Sequence, residues 1–151
     1  MVKAKEFWNY LCNDLEYRFF SGIPHIVFNS LYKKMNKSFL HYIPAVNADA
    51  AVGLVNGVRL TGMNSAVIVG LKDLETCLSN ILRFNFEYKL PIVVFINKEK
   101  EGSSKFLAEF LFNYNVKVVD LSDNFMSDLD LVTDVSDCVM SLLLVEDGFL
   151  I

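Results

Sequence analysis

The sequence predicts an α/β protein, a three-layer sandwich in which a six-stranded parallel sheet is covered by helices on both faces. Three observations carry that expectation. Short, continuously apolar segments such as SAVIVG (Ser65–Gly70) and PIVVFIN (Pro91–Asn97) read as strands buried on both sides. Segments of helical periodicity separate them. The two kinds alternate from one end to the other, with no linker, low-complexity tract or repeat between them, so Met1–Ile151 reads as one domain.

In chain order, the periodicity predicts a first helix over Lys3–Tyr17 and a short strand at Arg18–Ser21. The turn Gly22-Ile23-Pro24 breaks the chain and leads to a helix over His25–Met35. A strand at Phe39–Ile43 follows, and Pro44 helps to close it. The next helix runs over Asn47–Leu60, with Asn47 as its N-cap. After the strand Ser65–Gly70 comes an amphipathic helix over Asp73–Tyr88, with Asp73 capping it and Lys72 solvated. The strand Pro91–Asn97 is rich in β-branched and aromatic residues. A helix over Ser104–Asn113 and a strand at Val116–Leu121 come next. The last helix is expected within Leu131–Leu144, and the sixth strand at Gly148–Ile151.

Composition limits the function classes. The chain is 53% hydrophobic, 13% aromatic and 21% charged, enough apolar material for a core and more than a small monomer usually needs. An oligomer or a partner chain is therefore expected. A net charge of −4, with no basic run interleaved with aromatics, argues against nucleic acid. No apolar stretch reaches the roughly eighteen residues of a membrane span. Asn13 and Asp14 interrupt any signal-like core in MVKAKEFWNYLCND, so a cytoplasmic location is expected. Cys12, Cys77 and Cys138 lie far apart among apolar residues and read as small buried hydrophobes in a reducing compartment.

Several familiar motifs are missing. There is no GxGxxG turn, no GxxxxGK[ST] loop and no GxSxG elbow. The two histidines are His25, after the glycine-proline turn, and His41, inside a strand where a structural role is expected. In a parallel sheet, ligands gather beyond the carboxyl ends of the strands. That directs attention to Gly22–His25, Pro44–Asp49, Gly70–Leu74 and Asn97–Ser103.

The stretch NADAAVGLVNGVRLTG (Asn47–Gly62) carries the most information. It resembles the signature helix of the thiamine diphosphate-dependent decarboxylases, in particular phosphonopyruvate and sulfopyruvate decarboxylases. Ala50, Ala51, Gly53 and Gly57 fit the family's run of small residues, and SAVIVG follows as the strand. FFSGIP (Phe19–Pro24) resembles the first strand and the turn facing the cofactor. EYKLPIVVFIN (Glu87–Asn97) resembles the lead into a core strand, and the terminal DGFLI resembles the last strand. The resemblance implies the pyrimidine-binding, N-terminal type of domain in the thiamine diphosphate-binding fold.

The same resemblance implies a site and shows where this chain departs from it. In the family a Glu nine positions before the signature Gly hydrogen-bonds the cofactor's pyrimidine and promotes the tautomer that generates the carbanion. Nine positions before Gly57 stands Ala48, which has no proton to exchange. Asp49 is adjacent, but one residue turns a helical side chain by about 100°. Where the family has a glycine-rich Ser-Gly-Leu-Gly-Asn loop, this chain has GLKDLET with Lys72 and Asp73, charges that either solvate and cap or fill the vacated pocket. The Gly-Asp-Gly of the diphosphate-binding half occurs nowhere.

Two functions follow from the resemblance. The first is the small subunit of a two-chain thiamine diphosphate-dependent 2-oxo acid decarboxylase, a lyase of phosphonopyruvate or sulfopyruvate type with a degenerate active site. Gly22, Pro24, His25, Asn47, Ala48, Asp49, Lys72 and Asp73 would frame the cofactor. Thiamine diphosphate with magnesium is expected only in assembly with a diphosphate-binding partner subunit, and no cofactor for this chain alone. The second is a non-catalytic interaction or regulatory domain that keeps the fold and its apolar pairing helix. A homodimer, or that partner subunit, would complete either.

Overall fold

A computed structural model describes residues 1–35, 41–99 and 105–151. Its elements are α1 (Ala4–Asn9), β1 (Tyr17–Gly22), α2 (Asn29–Lys34), β2 (His41–Pro44), α3 (Ala48–Leu60), β3 (Asn64–Ile68), α4 (Leu71–Ile81), β4 (Ile92–Asn97), α5 (Lys105–Asn113), β5 (Val116–Asp120), α6 (Phe125–Thr133) and β6 (Met140–Val145).

The six strands form one sheet in the order β2-β1-β3-β4-β6-β5, and every pairing is parallel. Both faces are covered, as the unbroken apolar strands require. Along β4, Val93 and Phe95 pack with α1, α2 and α6, while Ile92, Val94 and Ile96 pack with α3, α4 and α5. The first of these layers centres on aromatic rings. Phe7 meets Trp8 and Phe95 edge-on, Trp8 meets Phe20, and the Trp8 indole donates to the Leu31 carbonyl at 2.6 Å.

The expected fold class is the one observed, but several boundaries move. The first helix stops well short of Tyr17. A π-turn over Tyr10–Asp14 follows α1, and Glu16 takes a left-handed conformation (φ 59°) that ends the helical path and launches β1. The second helical segment begins as a 3₁₀ turn, Ile26–Phe28, before α2. Of the predicted strand Phe39–Ile43, residues 39 and 40 lie outside the described residues, as does Ser104 of the predicted fifth helix.

The C-terminal assignments are corrected. No helix crosses Leu131–Leu144; α6 ends at Thr133, and MSLLLV (Met140–Val145) is the sixth strand, between β4 and β5. A short apolar run has no period that separates buried strand from buried helix, and the tertiary position decided it. Gly148–Ile151 is not a strand of the sheet. Gly148 turns at φ 74°, and Leu150 makes a single parallel bridge with Val2 beside the start of α1.

Candidate functional site

One strand pair in this order has carboxyl ends from which the chain departs in opposite directions, β1, which leads outward to β2, and β3, which leads to β4 on its other side. Crevices form at such points. Here Gly22 ends β1 so close to β3 that an added Cβ would lie 1.7 Å from the Ile68 carbonyl oxygen. Only glycine fits there. The Gly22 carbonyl then accepts from Ala45 N at 2.9 Å, and Ser21 Oγ donates to the Ile43 carbonyl at 2.6 Å, tying the ends of β1 and β2 together.

His25 fills the crevice beyond Gly22. Its ring lies on the backbone of Gly70, where an added Cβ would come within 2.7 Å of His25 Cδ2. Its Nδ1 faces Val27 N at 3.4 Å and caps the 3₁₀ turn, and the ring meets Phe28 edge-on. Imidazole here packs and caps. Pro24, beside it, is exposed.

At the carboxyl end of the next strand, Asn97, the last residue of β4, turns its side chain toward the end of β3. Its Oδ1 accepts the Leu71 N–H at 2.7 Å, the first of α4. The helix therefore begins two residues before the predicted cap. Asp73 is not the cap; it lies in the first turn, where its charge complements the helix dipole, while Lys72 is exposed. Asn97 belongs to a loop that the sequence singled out, but its capping role depends on the neighbouring strand and has no local signal. The rest of that loop beyond Glu99 lies outside the described residues.

Asn47 caps α3 as expected, accepting from Ala50 N at 2.8 Å. The next two residues then diverge. Ala48 is 1% exposed and belongs to the buried cluster that includes Val67, Val69 and Leu71, whereas Asp49, turned about 100° along the helix, is exposed. Gly22, His25 and Gly70 thus converge on one crevice, while Asp49 faces elsewhere.

Asp49 opens onto a groove of about 570 Å³ between α3 and the end of α4. Val52, Gly53, Asn56 and Gly57 form its floor, with Arg83, Phe84 and Tyr88 along one wall. The wall comes from a π-turn over Leu82–Phe86 that extends α4 and turns Asn85 into the core. Asn56 Nδ2 donates to Asn85 Oδ1 at 3.0 Å, and Asn85 Nδ2 donates to Asn56 Oδ1 at 2.8 Å and to the Leu90 carbonyl at 2.9 Å. Arg59, the third polar residue of this helix, lies outside the groove lining. Its guanidinium donates to Asn64 Oδ1, the Tyr17 hydroxyl and the Ser65 carbonyl at 3.1, 3.2 and 2.9 Å, over the Tyr17 ring.

Behind the groove, burial pushes the Cys77 thiol up to about 12, and the negative charge of Asp49 adds to the effect. Cys12 is likewise buried, and Cys138 is partly so. Among the described residues no three His, Cys, Asp or Glu side chains gather as metal ligands. No helix among them is long and apolar enough to cross a membrane.

No family model matches the sequence, and no curated protein matches it either. Among solved structures the chain is similar to 2-oxoglutarate:ferredoxin oxidoreductase from Magnetococcus marinus, a structure with 2-oxoglutarate, coenzyme A and succinyl-CoA bound. The TM-score is 0.66 and the identity 14% over 96% of this chain. The chain spans only 28% of that protein's length, and at this identity the likeness is one of fold: six parallel strands between two helical layers.

Proposed function

We propose that the chain is a non-catalytic pairing domain built on the pyrimidine-side fold of the thiamine diphosphate-dependent enzymes. One observation carries this reading: Ala48, at the position where the resembled family has its Glu, is 1% exposed and sits in the apolar cluster that includes Val67, Val69 and Leu71. Asp49 does not substitute, because it is turned about 100° from Ala48 and faces the groove between α3 and the end of α4. Around the crevice, His25 is committed to Gly70 and to its own turn. Gly22, His25 and Gly70 bring no carboxyl group to the crevice, so they do not fit what the cofactor requires.

The second reading is the small subunit of a two-chain 2-oxo acid decarboxylase of phosphonopyruvate or sulfopyruvate type. It is supported by the fold shared with an enzyme whose bound ligands include a 2-oxo acid, 2-oxoglutarate. In that reading, thiamine diphosphate and magnesium are held only in assembly with a diphosphate-binding chain.

Ala48→Glu separates the two. A carboxylate buried without a partner costs on the order of several kcal/mol or is forced to its neutral form. The melting temperature should fall, with no 2-oxo acid decarboxylation when thiamine diphosphate, magnesium and a candidate partner chain are supplied. Turnover by Ala48→Glu with little loss of stability would overturn the non-catalytic reading.

A further inference from the structure

We propose that a hollow at the amino-terminal end of the sheet binds a small aromatic carboxylate, its ring against Phe86 and Tyr114 and its carboxylate on Lys89. The hollow, of about 490 Å³, lies where β4, β5 and β6 begin, at the opposite end of the strands from the crevice beyond Gly22. Its aromatic wall is fixed from behind. Phe86 and Tyr114 lie 5.3 Å apart between ring centroids, and both rest on the buried Phe110, at 6.0 and 4.8 Å. Another part of the rim is held as well. Asn115 Nδ2 donates to the Asp137 carbonyl at 3.1 Å, and Lys117 Nζ pairs with the Asp137 carboxylate at 3.0 Å. The acid of the hollow is thus already answered, whereas Lys89, also in its lining, has no ion-pair partner among the described residues.

Lys89 reaches this position in an unfavourable conformation. Its φ is 53°, left-handed, at the turn that ends the helical path of α4 and leads to β4. Leu90 N donates back to the Asn85 carbonyl at 2.9 Å across that turn, the closure in which glycine usually holds the left-handed position. A lysine there is kept at a cost to stability, and such costs gather at binding sites. The lining then selects the occupant. An aromatic wall is matched by a ring, which stacks or meets other rings edge-on at about 4.5–7 Å. One unpaired ammonium is matched by one negative charge, and a carboxylate makes the stronger, charge-assisted hydrogen bond. A polyanion such as a nucleotide would bring excess charge against Asp137, in a chain whose net charge is already −4. The volume falls within the range of small-molecule sites, about 300–1,000 Å³.

Cys138 lines the hollow and is partly exposed, whereas Cys12 and Cys77 are buried, so its alkylation by iodoacetamide reports on this place alone. The test follows that rate in the full chain by mass spectrometry, with 4-hydroxybenzoate as the probe. Labelling of Cys138 should slow by about threefold or more at saturation, with half the effect near about 1 mM for so small a ligand. 4-Hydroxybenzamide has the ring without the charge, and cyclohexanecarboxylate the charge without the aromatic ring; each should protect at least about tenfold more weakly. Lys89→Gly relieves the left-handed turn and should raise the melting temperature by about 2–4 °C, yet weaken protection by about tenfold or more. Lys89→Arg should leave both as in the wild type, and Tyr114→Leu should weaken protection alone. The proposal is overturned by no protection up to about 20 mM, by equal protection from the amide, by protection undiminished in Lys89→Gly, or by a Lys89→Gly that melts no higher than the wild type. None of these results bears on Ala48 or the crevice.

Discussion

Asn56 of α3 and Asn85 of the π-turn after α4 exchange amide hydrogen bonds in both directions, and both are almost wholly buried. The pair joins two helical segments on one face of the sheet and sets the floor of the groove. An unpaired buried amide costs about 1–3 kcal/mol. Asn56→Ala and Asn85→Ala should therefore each destabilise the fold by about that much, and the double variant by clearly less than the sum. Urea unfolding of the four proteins checks this. Strict additivity would mean that the two amides act independently.

Glycines at two positions should respond in opposite ways to the same methyl group. Gly22→Ala drives a Cβ into the Ile68 carbonyl oxygen, a backbone atom that cannot move without parting β1 from β3. A loss of about 4 kcal/mol or more is expected, seen as failure to accumulate folded protein. Gly53→Ala meets nothing within 4 Å, and it replaces a poor helix former within α3. Measured at high dilution, it should stabilise by about 0.5–1 kcal/mol. A folded, stable Gly22→Ala would contradict the close approach.

The cap that Asn97 provides for α4 predicts a graded series. Asn97→Ala removes the side-chain acceptor at the Leu71 N–H and should cost about 1 kcal/mol. Asn97→Asp keeps an acceptor and adds a negative charge at a helix N-terminus, so it should be tolerated or stabilising. Thermal melts of both variants test the order. Equal losses would show that the side chain acts through packing instead.

Cys77 predicts an alkaline limb of stability. Its pKa is raised from 9.0 to about 12 by burial first and the charge of Asp49 second, so the folded state favours the neutral thiol. Below the unfolded value both states hold the proton and the full stability remains. As pH rises above it, the unfolded chain ionises first and stability falls, by up to about 1.4 kcal/mol per unit for this group. Cys77→Ala should lower the plateau by leaving a small cavity, but flatten the slope between about pH 9 and the folded value. Parallel curves for the two proteins would refute the assignment.

The sequence by itself determined the layered parallel fold, because unbroken apolar runs such as Ile92–Asn97 can be buried only under helices on both faces. It also determined the start of α3, where Asn47 caps through a contact three residues away, and the inward turn of Ala48 against the outward turn of Asp49, which follows from helical geometry. Local chemistry was enough in each case. Only the tertiary structure decided that Met140–Val145 is the strand between β4 and β5 while Gly148–Ile151 stays outside the sheet, since the same apolar run suits helix or strand until neighbours claim its backbone groups. Likewise, α4 begins at Leu71 because Asn97, 26 residues later, reaches across from the next strand. The groove was hidden for the same reason. Asn56 and Asn85 lie 29 residues apart, and no local pattern announces that two amides at that distance will meet.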